Sequence, residues 1–346
     1  MNALPCAHGG PPLHGRLKLE ASDFRVIERL GFAASGHGEH DLIEIEKTGA
    51  NTPWVAQQLA RHAGVDGRAV GWAGLKDRHG CTRQSFSVQT PGRQVDWSSL
   101  AVPGVTVLGV ARHDRKLRIG ALRGNAFEIR LRELEGAQDV AEQRLLAIRD
   151  HGFPNYFGPQ RFGRQGHNLD LAAALLGGRR LDPERRGYAL SAARSALYNA
   201  ILAQRVSAQN WDRLLEGDVC QLDGSASIFG PITLDDTLTR RCAEFDLHPT
   251  AALWGLGELR SAGPVAALEQ AEAEAHADWT RLLQQHGLKQ ERRATRARAS
   301  GLQWEWLEGA LLLRFELPPG CYATSLIREL MQSRDPDPAE VPDAER

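Results

Sequence analysis

No stretch of the sequence approaches the roughly 20 consecutive apolar residues of a membrane-spanning helix. The N-terminal residues MNALPCAHGGPPLHG also lack the basic and apolar regions of a secretory signal. Hydrophobic residues make up 42% and charged residues 25% of the 346 residues, which argues against a disordered or fibrous class. We therefore expect a globular, cytoplasmic protein without a membrane partner, long enough to form two domains.

Cysteine is scarce, and the five cysteines are far apart with no CxxC pair. This excludes a disulfide framework and a cysteine-rich zinc site. The stretch HGEH, from His37 to His40, comes nearest to a metal cluster, but it has no further ligand at the required spacing and favours a solvated turn. We predict no metal site.

Motifs of several common enzyme classes are also missing. The sequence has no GxxxxGK[ST] loop, no HExxH, no GxSxG elbow and no EF-hand loop. A nucleotide-binding fold that cradles phosphates in a glycine-rich loop is therefore not expected.

The formal net charge of −1 conceals two basic regions. Seven basic residues lie between Arg112 and Arg132, against two acidic ones. The run from Lys289 to Arg298 has five basic residues and one acidic one, whereas the tail from Arg334 is acidic and rich in proline. Basic surfaces on a near-neutral protein predict contact with phosphates.

The hydrophobic pattern predicts strands at both ends of the chain and helices in the middle. RLKLE, FRVIE and DLIEIEK alternate like strands, as do VTVLGVARH, KLRIGAL and NAFEIRLREL, and helices are predicted from Thr52 and up to Gly152. Helical patterns, among them YALSAARSALYNAILAQRV and PVAALEQAEAEAHADWTRLLQQHG, dominate after His151. WEWLEGALLLRFEL then predicts a hairpin and CYATSLIRELMQS a last helix. The pattern predicts an α+β protein with a mixed, mainly antiparallel sheet and flanking helices, interrupted by a helix-rich inserted α/β domain.

The stretch GWAGLKDRHG places one carboxylate, Asp77, among cations. An exposed charged turn would explain it, but a carboxylate nucleophile is the alternative. Burial raises a carboxyl pKa, so an ionised Asp77 needs a cation beside it. Lys76 and Arg78 are candidates, although neighbours in an extended segment point to opposite sides; Lys18, in a separate strand, is another.

Aromatic residues with polar neighbours are candidates for stacking on an unpaired base. Phe24, Phe127 and Tyr322 fit this description, and core packing is the alternative for each. Asn125, in RGNAF, either fills a turn or reads a base edge with its amide.

The motif GWAGLKDRHGCTRQSFSV resembles the signature of the tRNA pseudouridine synthase D (TruD) family. LKLEASDFRVIERLGF, GHGEHDLIEIEKTGANT, RKLRIGALRGNAFEI, FPNYFGPQRFG, LSAARSALYN and PPGCYATSLIREL resemble the family in the same order. The resemblance extends over essentially the whole chain.

The resemblance implies a role for each matching residue. Asp77 corresponds to the catalytic aspartate, and Phe24 and Asn125 to positions that bind the target nucleotide. Phe127 and Lys18 fall in active-site segments. Tyr322 corresponds to a substrate-contacting aromatic that is phenylalanine in the best-known members. The implied domains are a discontinuous pseudouridine-synthase-like catalytic domain, residues 1–150 and 300–346, and an inserted domain, residues 151–299.

The implied reaction is the isomerisation of uridine to pseudouridine in tRNA, typically at uridine 13, without cofactor or metal. Lys18, Lys76 or Arg78 would keep Asp77 ionised. The basic regions would contact RNA phosphates, with four candidates in the first region: Arg115, Lys116, Arg118 and Arg123. We expect tRNA as the partner of a monomer that needs no other protein. The alternatives are a non-catalytic RNA-binding protein and, last, a protein-interaction scaffold, for which no apolar stripe is found.

Overall fold

The computed structural model describes residues 4–334, in which the chain forms eight α-helices and sixteen β-strands. The helices are α1 Thr52–Ala63, α2 Gln138–His151, α3 His167–Leu176, α4 Pro183–Ser207, α5 Asp236–Ala243, α6 Gly263–Ala275, α7 Ala277–Gln285 and α8 Ala323–Leu330. The strands are β1 Leu13–Leu17, β2 Phe24–Arg29, β3 His40–Lys47, β4 Val70–Trp72, β5 Cys81–Gln89, β6 Val105–His113, β7 Gly124–Gly136, β8 Phe153–Pro154, β9 Cys220–Leu222, β10 Ile228–Phe229, β11 Leu247–Leu253, β12 Glu291–Ala294, β13 Arg296–Ala297, β14 Ser300–Leu307, β15 Ala310–Leu317 and β16 Met331–Ser333. Within this described range, no helix has both the length and the apolar character needed to cross a bilayer.

The chain divides into two compact units, each built from separate segments. We call residues 15–134 and 300–320 the sheet unit, and the described parts of residues 1–14, 135–299 and 321–346 the helical unit. Both the predicted domains and these units have a boundary after Ala299. They differ at residues 1–14, 135–150 and 321–346, and the functional assignment of the domains stays a prediction.

The sheet unit is built on a mixed, mainly antiparallel sheet. Its strand order is β14-β15-β7-β2-β5-β3-β6, and β4 pairs with β5. Strands β2 and β5 are parallel, with Arg25 opposite Cys81, whereas β7 is antiparallel to both β2 and β15. The predicted α+β class and the predicted C-terminal hairpin are both confirmed.

Helix α1 covers one face of this sheet. Alternation along β3 directs Ile43 and Ile45 to the same face as Phe86 of β5, and Val55 and Leu59 of the helix pack there; all five side chains are completely buried. Pro53 in the first turn and the left-handed Gly64 after the last turn delimit the helix.

The prediction of a strand at KLRIGAL, residues 116–122, is wrong, because residues 114–123 form a loop between β6 and β7. Leu117 is buried, but its N–H donates to the hydroxyl of Ser87 at 2.8 Å instead of joining a ladder. Gly120 has a φ of +90°, a conformation that ends an extended strand. The apolar residues that alternate here are therefore a buried Leu117, which anchors the loop, and an exposed Ile119.

Helix α4 is the centre of the helical unit, with Ala192, Leu197 and Ile201 fully buried in its core. Helix α2 ends at His151 before Gly152, as predicted. The long helical pattern after Pro264 is two helices, α6 and α7, because His276 has a φ of −118° between them. Good helix formers flank the break on both sides, so helix propensity does not reveal it.

Two arginines of the second basic region are engaged inside the helical unit, whereas Lys289 and Arg298 are exposed, and contact of this region with phosphates stays a prediction. Arg292 forms a buried ion pair with Glu269 at 2.8 Å. Arg296 is buried and donates to the carbonyls of Asp212 and Leu247. These guanidinium groups are occupied inside the unit, and contact with phosphate would break those bonds.

Candidate active site

The segment between β4 and β5 carries Asp77 and is fixed to the sheet from several directions. Thr52, the first residue of α1, accepts from the N–H of Lys76 at 3.1 Å and donates to the amide oxygen of Gln84 at 3.0 Å. Gln84 in turn donates to the carbonyl of Gly74. A Cβ at Gly80 would lie 2.7 Å from the carbonyl oxygen of Phe24, so only glycine allows β5 to start this close to β2.

Each oxygen of the Asp77 carboxylate accepts a hydrogen bond. Lys18 Nζ donates to Oδ2, and the backbone N–H of His79 donates to Oδ1 at 2.9 Å. Burial is the largest influence on the Asp77 pKa and raises it, but Lys18 and His79 together outweigh it and hold the pKa below its ordinary value. The side chain remains 18% exposed, so a reactant can reach it.

Lys18 lies between the carboxylate and an aromatic ring. Its Nζ is 4.3 Å from the ring centroid of Phe24, within the range of a cation–π contact. The residue adopts a left-handed backbone with a φ of +62°, which a non-glycine residue adopts at a cost. The fold therefore fixes the direction of this ammonium group towards Asp77.

A second lysine, Lys47, lies beneath the same segment and was missed in the sequence analysis. Its Nζ donates to the carbonyls of Ala50 at 2.8 Å and Asp77 at 3.0 Å, and the residue is only 1% exposed. Burial lowers its pKa to about 8, against the opposing effect of Asp77. The signal was in the strand pattern, because Lys47 continues the buried phase of Ile43 and Ile45.

Another carboxylate pairs with Lys76, and a backbone carbonyl accepts from Arg78. Lys76 forms a buried ion pair with Glu28 at 2.5 Å, and Glu28 also accepts from the N–H of Ser85 at 3.1 Å. Arg78 donates from Nε to the carbonyl of Gly49 at 3.2 Å. Glu28, also missed in the sequence analysis, follows Phe24 and Val26 in the buried phase of β2.

The predicted aromatic residues of the sheet unit are packed against one another. The rings of Phe24 and Phe127 meet edge to face at 6.2 Å, and Phe127 stacks on Phe315 at 5.3 Å. Phe24 is 5% and Phe127 9% exposed. Core packing therefore accounts for most of both ring surfaces, and little of either ring faces solvent.

Asn125 has an unsatisfied group beside these residues. Asn125 lies on β7, opposite Glu28 of β2, and its side chain is on the same face of the sheet as that of Phe127, two positions further along. Its Oδ1 is buried and has no hydrogen-bond partner within residues 4–334. A buried carbonyl oxygen without a partner is unfavourable, and a donor from a bound molecule would satisfy it.

Tyr322 belongs to the helical unit, where it immediately precedes α8. Its ring meets that of Phe157 edge to face at 6.1 Å, and a Cβ at Gly158 would lie 3.2 Å from it. Its predicted contact with a substrate base stays a prediction.

The four predicted phosphate-binding residues lie on the loop between β6 and β7 and are exposed. Arg115 lies 3.4 Å from Asp114, and Lys116 donates from Nζ to the carbonyl of Arg68. Arg118 and Arg123 are also exposed on this loop. The loop is therefore a cationic surface, which suits a polyanion.

The arrangement supplies an ionised carboxylate with a restricted approach, supported by two lysines. Such a group can attack an electrophilic carbon or remove a proton. The amide of Asn125, on β7 of the same unit, offers both an acceptor and a donor for orienting a reactant.

The comparisons with known proteins agree with the resemblance in the sequence. The family model for tRNA pseudouridine synthase D (TruD) matches residues 2–182 and 178–330. The tRNA pseudouridine synthase D of Xanthomonas campestris pv. campestris (strain 8004) is 47% identical over 347 residues, and the match covers 94% of this chain and 94% of the relative. That of Aeromonas salmonicida (strain A449) is 46% identical over 340 residues, covering 97% of this chain and 96% of the relative.

A solved structure from Methanosarcina mazei, described as tRNA pseudouridine synthase D (TruD), has the same fold. Its TM-score is 0.73 with 20% sequence identity, over 96% of each chain. The fold and these matches define an isomerase of the tRNA pseudouridine synthase class. The chain belongs to the tRNA pseudouridine synthase D family.

Proposed function

We propose that this enzyme converts uridine 13 of tRNA to pseudouridine and that Asp77 is its catalytic carboxylate. One observation carries the proposal: Asp77 is largely buried, yet Lys18 and the N–H of His79 keep it ionised beside a path to solvent. An ionised carboxylate is the form that can act as a nucleophile or base.

Two courses of reaction use this group. In the first, Asp77 attacks the ribose C1′ and the glycosidic bond to N1 breaks, with uracil keeping the electron pair. After the uracil rotates, its C5 bonds to C1′, the carboxylate leaves, and C5 loses its proton while N1 gains one. In the second, Asp77 removes the C2′ proton of the ribose and the C1′–N1 bond breaks, which gives a glycal with a C1′–C2′ double bond and a uracil anion. After the uracil rotates, its C5 bonds to C1′ while Asp77 returns the proton to C2′, and C5 then loses its proton while N1 gains one. Both are isomerisations that need no other reactant.

The predicted substrate-binding residues would each make a different contact with the uridine. The unpartnered Oδ1 of Asn125 would accept from the uracil N3–H, and its amide N–H would donate to a uracil oxygen. Phe24 and Phe127 would form an apolar wall at the edge of the base. The resemblance also implies that Tyr322, in the helical unit, contacts the substrate base, that the domain of residues 1–150 and 300–346 carries the chemistry, and that residues 151–299 form the inserted domain.

The cationic loop between β6 and β7 would bind the tRNA backbone. Its exposed side chains suit phosphates, and phosphate contacts position an RNA without reading its sequence. In the same proposal the enzyme works in the cytoplasm as a monomer, without cofactor, metal or obligate protein partner.

The test is pseudouridine formation in unmodified tRNA transcripts, mapped by carbodiimide labelling and reverse transcription. We expect a stop at uridine 13 with the wild type and none with Asp77→Asn, whose tRNA affinity should stay within about threefold because many phosphate contacts remain. Asp66→Asn, which changes an exposed carboxylate of the same unit, is the matched control and should stay active.

Other outcomes would change the proposal in defined ways. Full activity of Asp77→Asn would remove Asp77 from the chemistry. A stop at another uridine would correct the site of modification alone. Tight tRNA binding without modification by the wild type would favour the RNA-binding alternative.

A further inference from the structure

Two apolar side chains, one in the segment of Asp77 and one in the loop between β6 and β7, are far more exposed than the rest. Ile119 is 71% and Leu75 67% exposed, whereas no other large hydrophobic side chain of residues 4–334 exceeds 49%. A single exposed apolar side chain is common on protein surfaces and needs no explanation. Two apolar side chains this exposed, in neighbouring segments, do need an explanation.

The two segments are joined directly. The N–H of Gly120, next to Ile119, donates to the carbonyl of Ala73 at 2.7 Å. Leu75 is two residues from Ala73 and two residues from Asp77. Both apolar side chains therefore lie on two segments that are bonded to each other, one of which carries Asp77.

The loop that carries Ile119 is firmly attached to the sheet. Leu117 is buried, and its N–H donates to Ser87 Oγ at 2.8 Å. A Cβ at Gly71 would lie 2.3 Å from the carbonyl oxygen of Leu117, so β4 and the loop pass in close contact. These contacts fix the loop and hold Ile119 in its exposed position. A polar residue would fit this position equally well, so the apolar side chain is not needed to form the loop.

The surroundings of the pair indicate the chemistry of its partner. Arg115 and Arg118 are exposed on the same loop as Ile119, on either side of the buried Leu117. Apolar side chains among cations fit a ligand that has flat apolar faces and a negatively charged backbone. An RNA with an unstacked base has both.

We propose that Leu75 and Ile119 form an apolar wedge that packs against the base faces uncovered when the target uridine leaves its stack in tRNA. This inference rests on the proposed function. A uridine inside a folded tRNA must be extruded before its ribose can reach Asp77, and extrusion leaves its neighbours without a stacking partner. Inserted apolar side chains stabilise such unstacked steps in other nucleic-acid complexes.

The first test compares turnover among surface variants. Leu75→Ala with Ile119→Ala should lower kcat/KM on folded tRNA by about tenfold or more, because replacement stacking is lost. Leu75→Met with Ile119→Leu, which keeps the apolar bulk, should retain most of the activity. Val110→Ala, an exposed apolar residue on β6, is the matched control and should be unchanged. All three positions are exposed, so the melting temperatures should be equal.

The second test needs no turnover. A tRNA with 2-aminopurine on either side of the target uridine reports unstacking as a fluorescence increase. Wild type and Asp77→Asn should both produce the signal, and the double alanine variant should bind tRNA but produce little of it. Equal signals and equal kcat/KM for the double alanine variant and the wild type would overturn the wedge. Absence of pseudouridine with a wild-type unstacking signal would instead contradict the proposed function and leave the wedge supported.

Discussion

Lys18 and Asp77, 59 positions apart in sequence, form an ion pair in which the ammonium group also faces the ring of Phe24. The pair keeps the carboxylate charged against the effect of burial. Because the pKa of Asp77 is lowered, the pair stabilises the folded protein above the ordinary carboxyl pKa, and this contribution is lost as the pH falls through the folded-state value.

Lys18→Met should reverse the direction of the Asp77 pKa shift. Burial then dominates, and activity should fall about tenfold for each pH unit below the raised pKa, giving an acid limb that the wild type lacks near neutrality. The pH dependence of kcat/KM between pH 5 and 8 measures this, with Lys18→Arg as the charge-preserving control. A flat profile for Lys18→Met would show that Lys18 does not set the charge of Asp77.

Lys47 should produce an alkaline limb. Its pKa of about 8 means that its charge, which supports Asp77 from below, is lost above that pH. We expect kcat/KM of the wild type to decline above about pH 8. Lys47→Arg should abolish the decline where it folds, because arginine stays charged throughout this range.

Stability measurements give a second view of Lys47. Its folded-state pKa lies below the ordinary value of 10.5, so the unfolded chain binds more protons between about pH 8 and 10.5. The free energy of unfolding of the wild type should therefore rise with pH relative to that of Lys47→Met across that window. Below pH 7 the two curves of unfolding free energy against pH should run parallel. Parallel curves throughout would mean that Lys47 keeps an ordinary pKa.

The buried pair of Glu28 and Lys76 should be costly to break from one side. Glu28→Gln alone leaves the ammonium of Lys76 without its counter-charge and should destabilise the protein by about 3–5 kcal/mol. Lys76→Met combined with Glu28→Gln should be less destabilising than the sum of the single changes, which urea denaturation of the four proteins measures. Simple additivity would indicate that the two charges are independent.

The cationic loop should govern the salt dependence of tRNA binding. Replacing Arg115 and Arg118 with glutamine should weaken binding and reduce the slope of log K against log salt by about 0.7–0.9 for each lost phosphate contact. Arg61 and Arg93, exposed elsewhere on the sheet unit, provide a control with the same change of charge. An unchanged slope in the loop variant would exclude this loop from the phosphate contacts.

Local pattern predicted most of the elements, because strand alternation and helix signals act over a few residues. It failed at KLRIGAL, where one buried leucine and a left-handed Gly120 produced a loop. It also failed at His276, where the helix breaks without a local signal. In both cases tertiary packing outweighed a weak local preference.

The sequence by itself determined that a carboxylate, Asp77, would lie among cations at the start of a strand. It also determined that Glu28 and Lys47 would share the buried phase of their strands, since side chains alternate with a period of two. Only the tertiary structure decided which cation pairs with which carboxylate. The parallel pairing of β2 with β5 and the hydrogen bonds that fix residues 74–76 bring Asp77 to Lys18 and Lys76 to Glu28. Contacts between residues this far apart in sequence depend on sheet register and packing.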